Sequence, residues 1–258
     1  MAGIAQQDYI AGLAKGLAVL ESFDTERQRL NATLAAQRAG LTRAAARRHL
    51  LTLTHLGYLE TDGSYFWLAA RVLRLSGAYL ASARLPRVVQ PTLNRLAADT
   101  PDVFSAAVLD GDEVVIIARA GGDAAINRLL AYGMHLGARL PAHATSTGRV
   151  LLASLPRAEL AAWLGHRGDL PRLTPRTTTG QRAFKALLAE VAAQDHCFAA
   201  DEHELGVHAM AVPLRNPKGA TVAALNLIAP PGRLDDPQAL ASALQRLRGA
   251  ASELRQML

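Results

Sequence analysis

The sequence predicts a mixed α/β (α+β) protein in two parts, a winged helix-turn-helix followed by a larger α/β domain. Three observations predict it. Residues 31–56 carry two helix signatures joined at Gly40, and a hairpin signature follows them. Between Glu26 and Glu60 there is no acidic residue, while Arg27, Arg29, Arg38, Arg43, Arg47 and Arg48 all fall there. Beyond residue 100, paired strand signals alternate with amphipathic helical ones.

The elements follow in order. Residues 9–23 keep a helical amphipathic spacing. Asn31 is an N-cap for a short helix over residues 32–39, and Gly40 supplies the position after its end. Leu41 turns the corner, and Thr42 caps a second helix that runs to about Leu56 and stops at Gly57. On it Ala46, Leu50 and Leu53 share one stripe, while Arg47 and Arg48 project away. The run YLETDGSYFWL then alternates around Asp62-Gly63, a hairpin turn. Leu68, Val72, Leu75 and Tyr79 recur at helical spacing, and Pro86 and Pro91 break that pattern. A linker helix is therefore expected over residues 68–90, between a DNA-binding domain over 1–67 and a second domain over 91–258.

In the second domain, FSAAVLDGDEVVIIARA reads as two strands around Asp110-Gly111. GMHLGARLPAHATSTGRVLLASL reads as a strand and loop leading into a helix from about Ser146. Residues 156–164 and 181–194 look helical. VHAMAVPLRNPKGATVAALNLIA is a second hairpin turning at residues 216–219, and residues 237–258 close the chain as a helix.

Composition narrows the function classes. Half of the 258 residues are apolar, so burying a core is no obstacle. A net charge of +6 favours nucleic acid or anionic small molecules as partners without choosing between them. Cys197 is the only cysteine, which excludes an intrachain disulfide and points to a reducing compartment, the cytoplasm. Asp8 and Lys15 interrupt the apolar N-terminus, which lacks the basic segment of a signal peptide. No apolar run is long enough to span a bilayer, so no membrane partner is expected.

The arginine-bearing helix fits a recognition helix. An α-helix enters the major groove, its first residues meet base edges, and its N-terminus favours phosphate. Arg43 and Arg47 are four apart and share a face; whether each meets guanine or phosphate stays open. A solvated face usually mixes charge signs, and this stretch does not. The candidate DNA-contacting set is Asn31, Thr42, Arg43, Ala44, Arg47 and Arg48, with Gly63 and Ser64 at the hairpin tip. The expected partner is double-stranded operator DNA.

Four segments, LAKGLAVLESF, LTRAAARRHLLTLTHLGYL, GARLPAHATSTGRVLLASL and ELGVHAMAVPLRNPKGATVAALNL, resemble successive motifs of the IclR family of bacterial transcriptional regulators. The likeness runs from about Tyr9 to the C-terminus. Within the family, LTRAAARRHLLTL with YFWLAARVLRLSGAYL is similar to the branch that responds to protocatechuate, para-hydroxybenzoate and related aromatic acids. The resemblance implies a linker helix and a GAF-like effector-binding and oligomerisation domain, assembled as a homodimer or homotetramer. It also implies effector contacts from Ser146 and Thr147, from residues 199–209, and from the last strand near Asn226 and Ile228. An acid and a cysteine of glyoxylate-type members correspond to Ala199 and Ala209, which leaves room for a ring.

The residues at Thr145, Ser146 and Thr147 suit a carboxylate on their own terms, since a helix start offers free N–H groups, hydroxyls and partial positive charge. The N-cap role explains one of these hydroxyls and not three. Arg119, Tyr132, His208 and Met210 complete the candidate effector site. The effector is expected to be a small organic acid, an aromatic carboxylate.

Enzymatic readings fare worse. His203-Glu204 precedes His208, but five residues separate the histidines where H-E-x-x-H needs four, and Gly206 argues against a helix. Ser146 and Ser154 lack a G-x-S-x-G setting. There is no glycine-rich phosphate loop. No cofactor, metal site or catalytic residue is expected. The competing readings are a constitutive DNA-binding protein whose second domain only oligomerises and, further off, a small-molecule enzyme.

Overall fold

The computed structural model describes residues 4–24, 27–123, 125–127, 134–165 and 168–258. These fall into two compact units, Met1–Tyr79 and Leu80–Leu258.

The first unit begins with α1 (Ala11–Leu20), α2 (Ala32–Ala39) and α3 (Arg43–His55). Local chemistry sets the bounds of the last two. The Asn31 side chain accepts from the backbone N–H of Thr33 and Leu34, both at 3.0 Å. Gly40 ends α2 in the left-handed region at φ 65°, a conformation that costs a residue with a Cβ more. Thr42 Oγ1 accepts from Ala45 N–H at 3.2 Å and starts α3. The stripe expected on α3 faces inward: Ala46 and Leu50 are buried with Val19, Leu30, Ala35 and Phe66, and Leu53 packs against them.

The wing is β1 (Leu59–Thr61) paired antiparallel with β2 (Phe66–Leu68). Leu30 bridges to Phe66 and ties the start of α2 to the sheet. At the tip, Asp62 Oδ1 accepts from Ser64 and Tyr65 N–H, at 3.0 and 2.7 Å. Those two bonds, Tyr65 first, hold its carboxyl below the usual carboxylate range.

Beyond the wing the expected helical segment is resolved differently. Leu68 belongs to β2, and α4 (Leu73–Ser82) buries none of its residues. Pro86 and Pro91 do not break the structure; both lie inside α5 (Arg84–Ala98). Pro86 sits in the first turn, where its missing N–H has no intrahelical acceptor. Pro91 removes an interior bond, a cost of about 3 kcal/mol in an isolated helix. Burial of Val89, Leu93 and Leu96 against the sheet offsets it.

The second unit is a six-stranded antiparallel sheet ordered β5-β4-β3-β8-β7-β6. Its strands are β3 (Val103–Asp110), β4 (Glu113–Ala120), β5 (Arg139–Pro141), β6 (Cys197–Ala200), β7 (His208–Arg215) and β8 (Thr221–Ala229). Both expected hairpins form. The four-residue β6 was not foreseen. On one face α5 and α9 (Pro237–Arg255) cover Phe104, Met210, Leu225 and Leu227. On the other, α6 (Ser146–Ala153), α7 (Arg157–Gly165) and α8 (Gln181–Gln194) cover Ala107, Val114, Ala211 and Ala224. Gly148 lets α6 close on the short turn before it: a Cβ there would lie 2.1 Å from the Ala142 carbonyl oxygen.

No helix among the described residues is long and apolar enough to cross a membrane.

Candidate functional site

Two surfaces carry the chemistry, one in each unit. On α3, Arg43, Ala44, Arg47 and Arg48 are all exposed, as is the capping Thr42. Of the arginines in the acid-free stretch, Arg29 pairs with Asp62 at 2.6 Å and lies over the Trp67 ring at 4.4 Å. Arg38 pairs with Asp24 and bonds the Ser22 carbonyl. Arg43, Arg47 and Arg48 have no ion pair among the described residues, nor has Arg27, so three of the four cations left free lie on the outward face of α3. Gly63 and Ser64 are exposed at the wing tip. Asn31 is only partly exposed, and its side-chain oxygen is committed to its cap.

The second surface is a small, partly open cavity over the β6–β8 side of the sheet, bordered by the start of α6. The described lining includes Thr145, Ser146 and Thr147 from α6 and its cap, Ala199 from β6, Ala209 from β7, and Asn226 and Ile228 from β8. These seven were singled out in the sequence, and the fold brings them to one place. Met134, Leu140, Ala144, Glu202, His203 and Val207 complete the wall. The volume open to the centre of a water-sized sphere is about 40 Å³, room for a few waters and not for a ring.

Three expected lining residues are placed elsewhere. Met210 is fully buried in the core on the opposite face of the sheet. His208 faces that side too, edge-on to Phe198 with ring centroids 6.0 Å apart, and lies 3.5 Å from Asp201 and 3.7 Å from Asp235. The reason is strand alternation: with Ala209 turned into the cavity, its neighbours on β7 must turn away. Arg119 is not in the wall; it lies on β4, two strands across from Asn226 in the same row of the sheet. Tyr132 lies outside the described residues.

The polar groups at the cavity differ in how they are satisfied. Thr145 Oγ1 accepts from Gly148 N–H at 3.1 Å and donates to the Pro141 carbonyl at 3.3 Å, so its role is structural. Ser105 Oγ donates to Asn226 Oδ1 at 2.5 Å, both buried. Glu202 is held by Arg149 of α6, a fully buried side chain that donates to both its carboxylate oxygens and to the His143 carbonyl. Thr178 N–H adds a bond to Glu202 Oε2 at 3.0 Å. Burial is the largest single influence and would raise the Glu202 pKa, but the Arg149 hydrogen bonds and charge together with the Thr178 bonds outweigh it and hold the carboxyl below its ordinary value. Arg149 thereby locks the start of α6 to the loop that follows β6.

That loop carries His203, whose Nδ1 is buried without a partner, and burial lowers the pKa of its ring. By name the sequence offered His203 only as a zinc ligand, although it lies in the segment 199–209 from which effector contacts are expected. The loop is not helical: Gly206 has φ 81° and donates to Asp201 Oδ1. His203 lines the cavity while His208 turns away from it, so the two do not converge. Burial also pushes the Cys197 thiol up to about 11, which makes it a poor nucleophile.

Comparison with known proteins fits both surfaces. Residues 12–63 match the IclR helix-turn-helix domain, and residues 77–256 match the bacterial transcriptional regulator IclR C-terminal domain. The chain is 51% identical over 256 residues to the p-hydroxybenzoate hydroxylase transcriptional activator of Acinetobacter baylyi, covering 99% of this chain and 94% of that protein. It is 48% identical over 255 residues to the Pca operon regulatory protein of the same organism, covering 99% and 91%. Among solved structures, the inducer-binding domain of a PobR double mutant from Acinetobacter, complexed with 3-hydroxybenzoic acid, superimposes with a TM-score of 0.62 at 47% identity. That match covers 67% of this chain and 98% of the other. With both domain models matched in order along nearly its whole length, this chain belongs to the IclR family of bacterial transcriptional regulators.

Proposed function

We propose that the protein regulates genes of aromatic-compound catabolism in the cytoplasm, binding operator DNA through α3 and the wing and an aromatic carboxylic acid in the cavity. The observation that carries the effector half is the cavity itself. It is small, its surface is mostly apolar with polar groups gathered at the start of α6 and the loop after β6, and it sits in a domain 47% identical to one solved with a hydroxybenzoic acid. Its small volume means that a ring enters only if the surroundings open. The liganded form therefore differs from the empty one, and that difference is what couples effector to DNA.

On this reading Arg43, Arg47 and Arg48 contact DNA, with Thr42 and Ala44 beside them, Asn31 supporting α2, and Gly63 and Ser64 at the backbone. Ser146, Thr147, Asn226 and His203 contact the effector. We take α4, within the expected span 68–90, as the link between the units; the place of Leu68 in β2 and of Val89 in the core of the second unit supports a shorter linker. The exposed apolar residues of α4, Leu73, Leu75 and Tyr79, suit burial in a homodimer or homotetramer.

The test is a thermal-shift series with benzoate-type and short aliphatic acids, followed by operator binding with and without each hit. An aromatic acid at 100 times its Kd should add about 2.7 kcal/mol of stability and change operator affinity. Operator binding unmoved by every stabilising acid would leave the second domain with oligomerisation alone.

A further inference from the structure

We infer that Arg119 supplies the anion-binding end of the effector cavity, so that its guanidinium, and not the start of α6, holds the carboxylate of a bound aromatic acid. This rests on the reading that the cavity takes such an acid.

The first ground is the guanidinium. Nε, Nη1 and Nη2 of Arg119 are all buried, and none has a hydrogen-bond partner. Every other buried cation described in this domain is matched; Arg149, deeper still, has Glu202 on one side and the His143 carbonyl on the other. A buried cation with no partner is strongly unfavourable and is retained where something outside the chain completes it. Because these nitrogens are already shielded within one chain, that something is small enough to enter the fold.

The second ground is direction. Residues directly opposite each other in an antiparallel ladder share a face of the sheet. Arg119 pairs with Ser105, and Ser105 pairs with Asn226. Asn226 lines the cavity and Ser105 is hydrogen-bonded to it, so Arg119 stands on the cavity face in the same row. Its chain neighbours Ala118 and Ala120 belong to the core on the other face, as alternation requires. Two strand spacings separate Arg119 from Asn226, about 10 Å. An arginine reaching inward and an acid reaching outward close that gap.

The third ground is electrostatic. At the α6 end the cavity wall includes Glu202, an anion already matched by Arg149, and the Thr145 hydroxyl is spent on its cap. A second carboxylate placed there meets a like charge. Placed toward Arg119 it meets an unmatched opposite one, and the cavity has to lengthen in some direction to admit a ring.

The experiment uses the full-length protein and 4-hydroxybenzoate and 4-hydroxybenzamide as probes. Calorimetry is run on the wild type, Arg119→Gln and Arg119→Lys, with melting temperatures taken without ligand. The wild type should prefer the acid. Arg119→Gln should lose affinity for the acid by about tenfold or more while binding the amide nearly as before, and Arg119→Lys should keep part of the preference. The ligand-free melting temperature of Arg119→Gln should not fall, since a buried unmatched charge has been removed. Wild-type acid affinity in Arg119→Gln, or a marked drop in its ligand-free melting temperature, would overturn the inference and leave Arg119 with no effector role or a purely structural one. A wild type that binds neither probe nor any other aromatic acid removes the underlying reading, a result distinct from selective loss in the variant.

Discussion

The arginines of the DNA-binding unit and those of the effector domain occupy opposite dielectric surroundings, and the same side chain means different things in each. On α3, Arg43, Arg47 and Arg48 stand in water without partners. That costs almost nothing, so their lack of a partner is informative only because acids are excluded from the whole stretch. In the effector domain, Arg149 is fully buried and each of its three guanidinium nitrogens has a partner, Glu202 twice and the His143 carbonyl once. The guanidinium nitrogens of the half-buried Arg119 are shielded from solvent and meet nothing. An unpaired surface arginine needs its neighbourhood to be read; an unpaired interior one is a statement by itself.

The largest effect expected from this contrast is at Arg149. Arg149→Ala strands the Glu202 carboxylate beside the cavity, and breaking a buried pair from one side costs about 3–5 kcal/mol. For a domain of this size that lowers the melting temperature by about 10 °C, measurable by calorimetry on the full chain. Replacing both partners with methionine should recover much of the loss, because no unmatched charge remains. The pH dependence has a definite sign. The Glu202 pKa is lowered from 4.5 in the fold, so its contribution is present above that value and is lost as pH falls below it. Glu202→Gln should flatten the acid limb of a stability–pH profile; an unchanged limb would show that other carboxylates set it.

How much of this was legible in the sequence depends on how local its cause is. The caps at Asn31 and Thr42 and the turn at Gly40 are decided within four residues, and all three were readable. The stripe Ala46, Leu50, Leu53 is also local periodicity. The helix through Pro86 and Pro91 was not readable, because its stability comes from Val89, Leu93 and Leu96 packing on strands far along the chain. Four-residue β6 carries too little pattern to be distinguished from a loop. Six cavity residues were readable from the resemblance and Thr145 from the helix start, yet His208 and Met210 were misplaced although the needed signal was present. With Ala209 facing the cavity, a period of two puts 208 and 210 on the other side. Glu202 and His203 fall within the segment 199–209 that the resemblance implies, but they were not singled out in it, since a loop has no period from which to read a direction.

A second, smaller effect tests the surface half of the contrast. Arg47→Ala should weaken operator binding by about 1–3 kcal/mol if it reads a base, relaxing selectivity at one position. If it meets phosphate, all sequences should weaken and the salt slope should drop by about one. In either case the melting temperature should hold, the opposite of Arg149→Ala. Operator affinity unchanged in the triple alanine variant at Arg43, Arg47 and Arg48 would take α3 out of the interface and erase the distinction drawn here.

Asn31 separates structure from contact within the DNA-binding unit. Its side chain caps α2 through two N–H groups, so Asn31→Ala should cost about 1 kcal/mol of stability. Asn31→Asp keeps an oxygen for the cap, and should hold stability while adding a negative charge. If Asn31 lies at the DNA, the Asp variant should bind operator more weakly than the wild type at equal stability. Equal affinity would confine Asn31 to capping.

The smallest effect is expected where a surface arginine already has partners. Arg29 pairs with Asp62 at 2.6 Å and covers the Trp67 ring, but more than half of its side chain is exposed, at 55%. An exposed pair of this kind contributes little and is screened by salt, and a cation over a partly exposed ring adds about 0.5–1 kcal/mol. Arg29→Ala should therefore lower stability only slightly. For DNA the expectation follows from its commitment to Asp62: the carboxylate cancels most of the charge a phosphate would feel. Arg29→Ala should change operator affinity and its salt slope less than Arg47→Ala does, although both arginines come from the same acid-free stretch. Removing the partner is the sharper probe. Asp62→Asn frees the Arg29 charge while retaining a side-chain oxygen for the Ser64 and Tyr65 N–H groups. It should raise affinity for any DNA, with a steeper salt dependence, if the wing tip lies near phosphate. A slope identical to the wild type would place the wing tip away from the backbone and leave recognition to α3 alone.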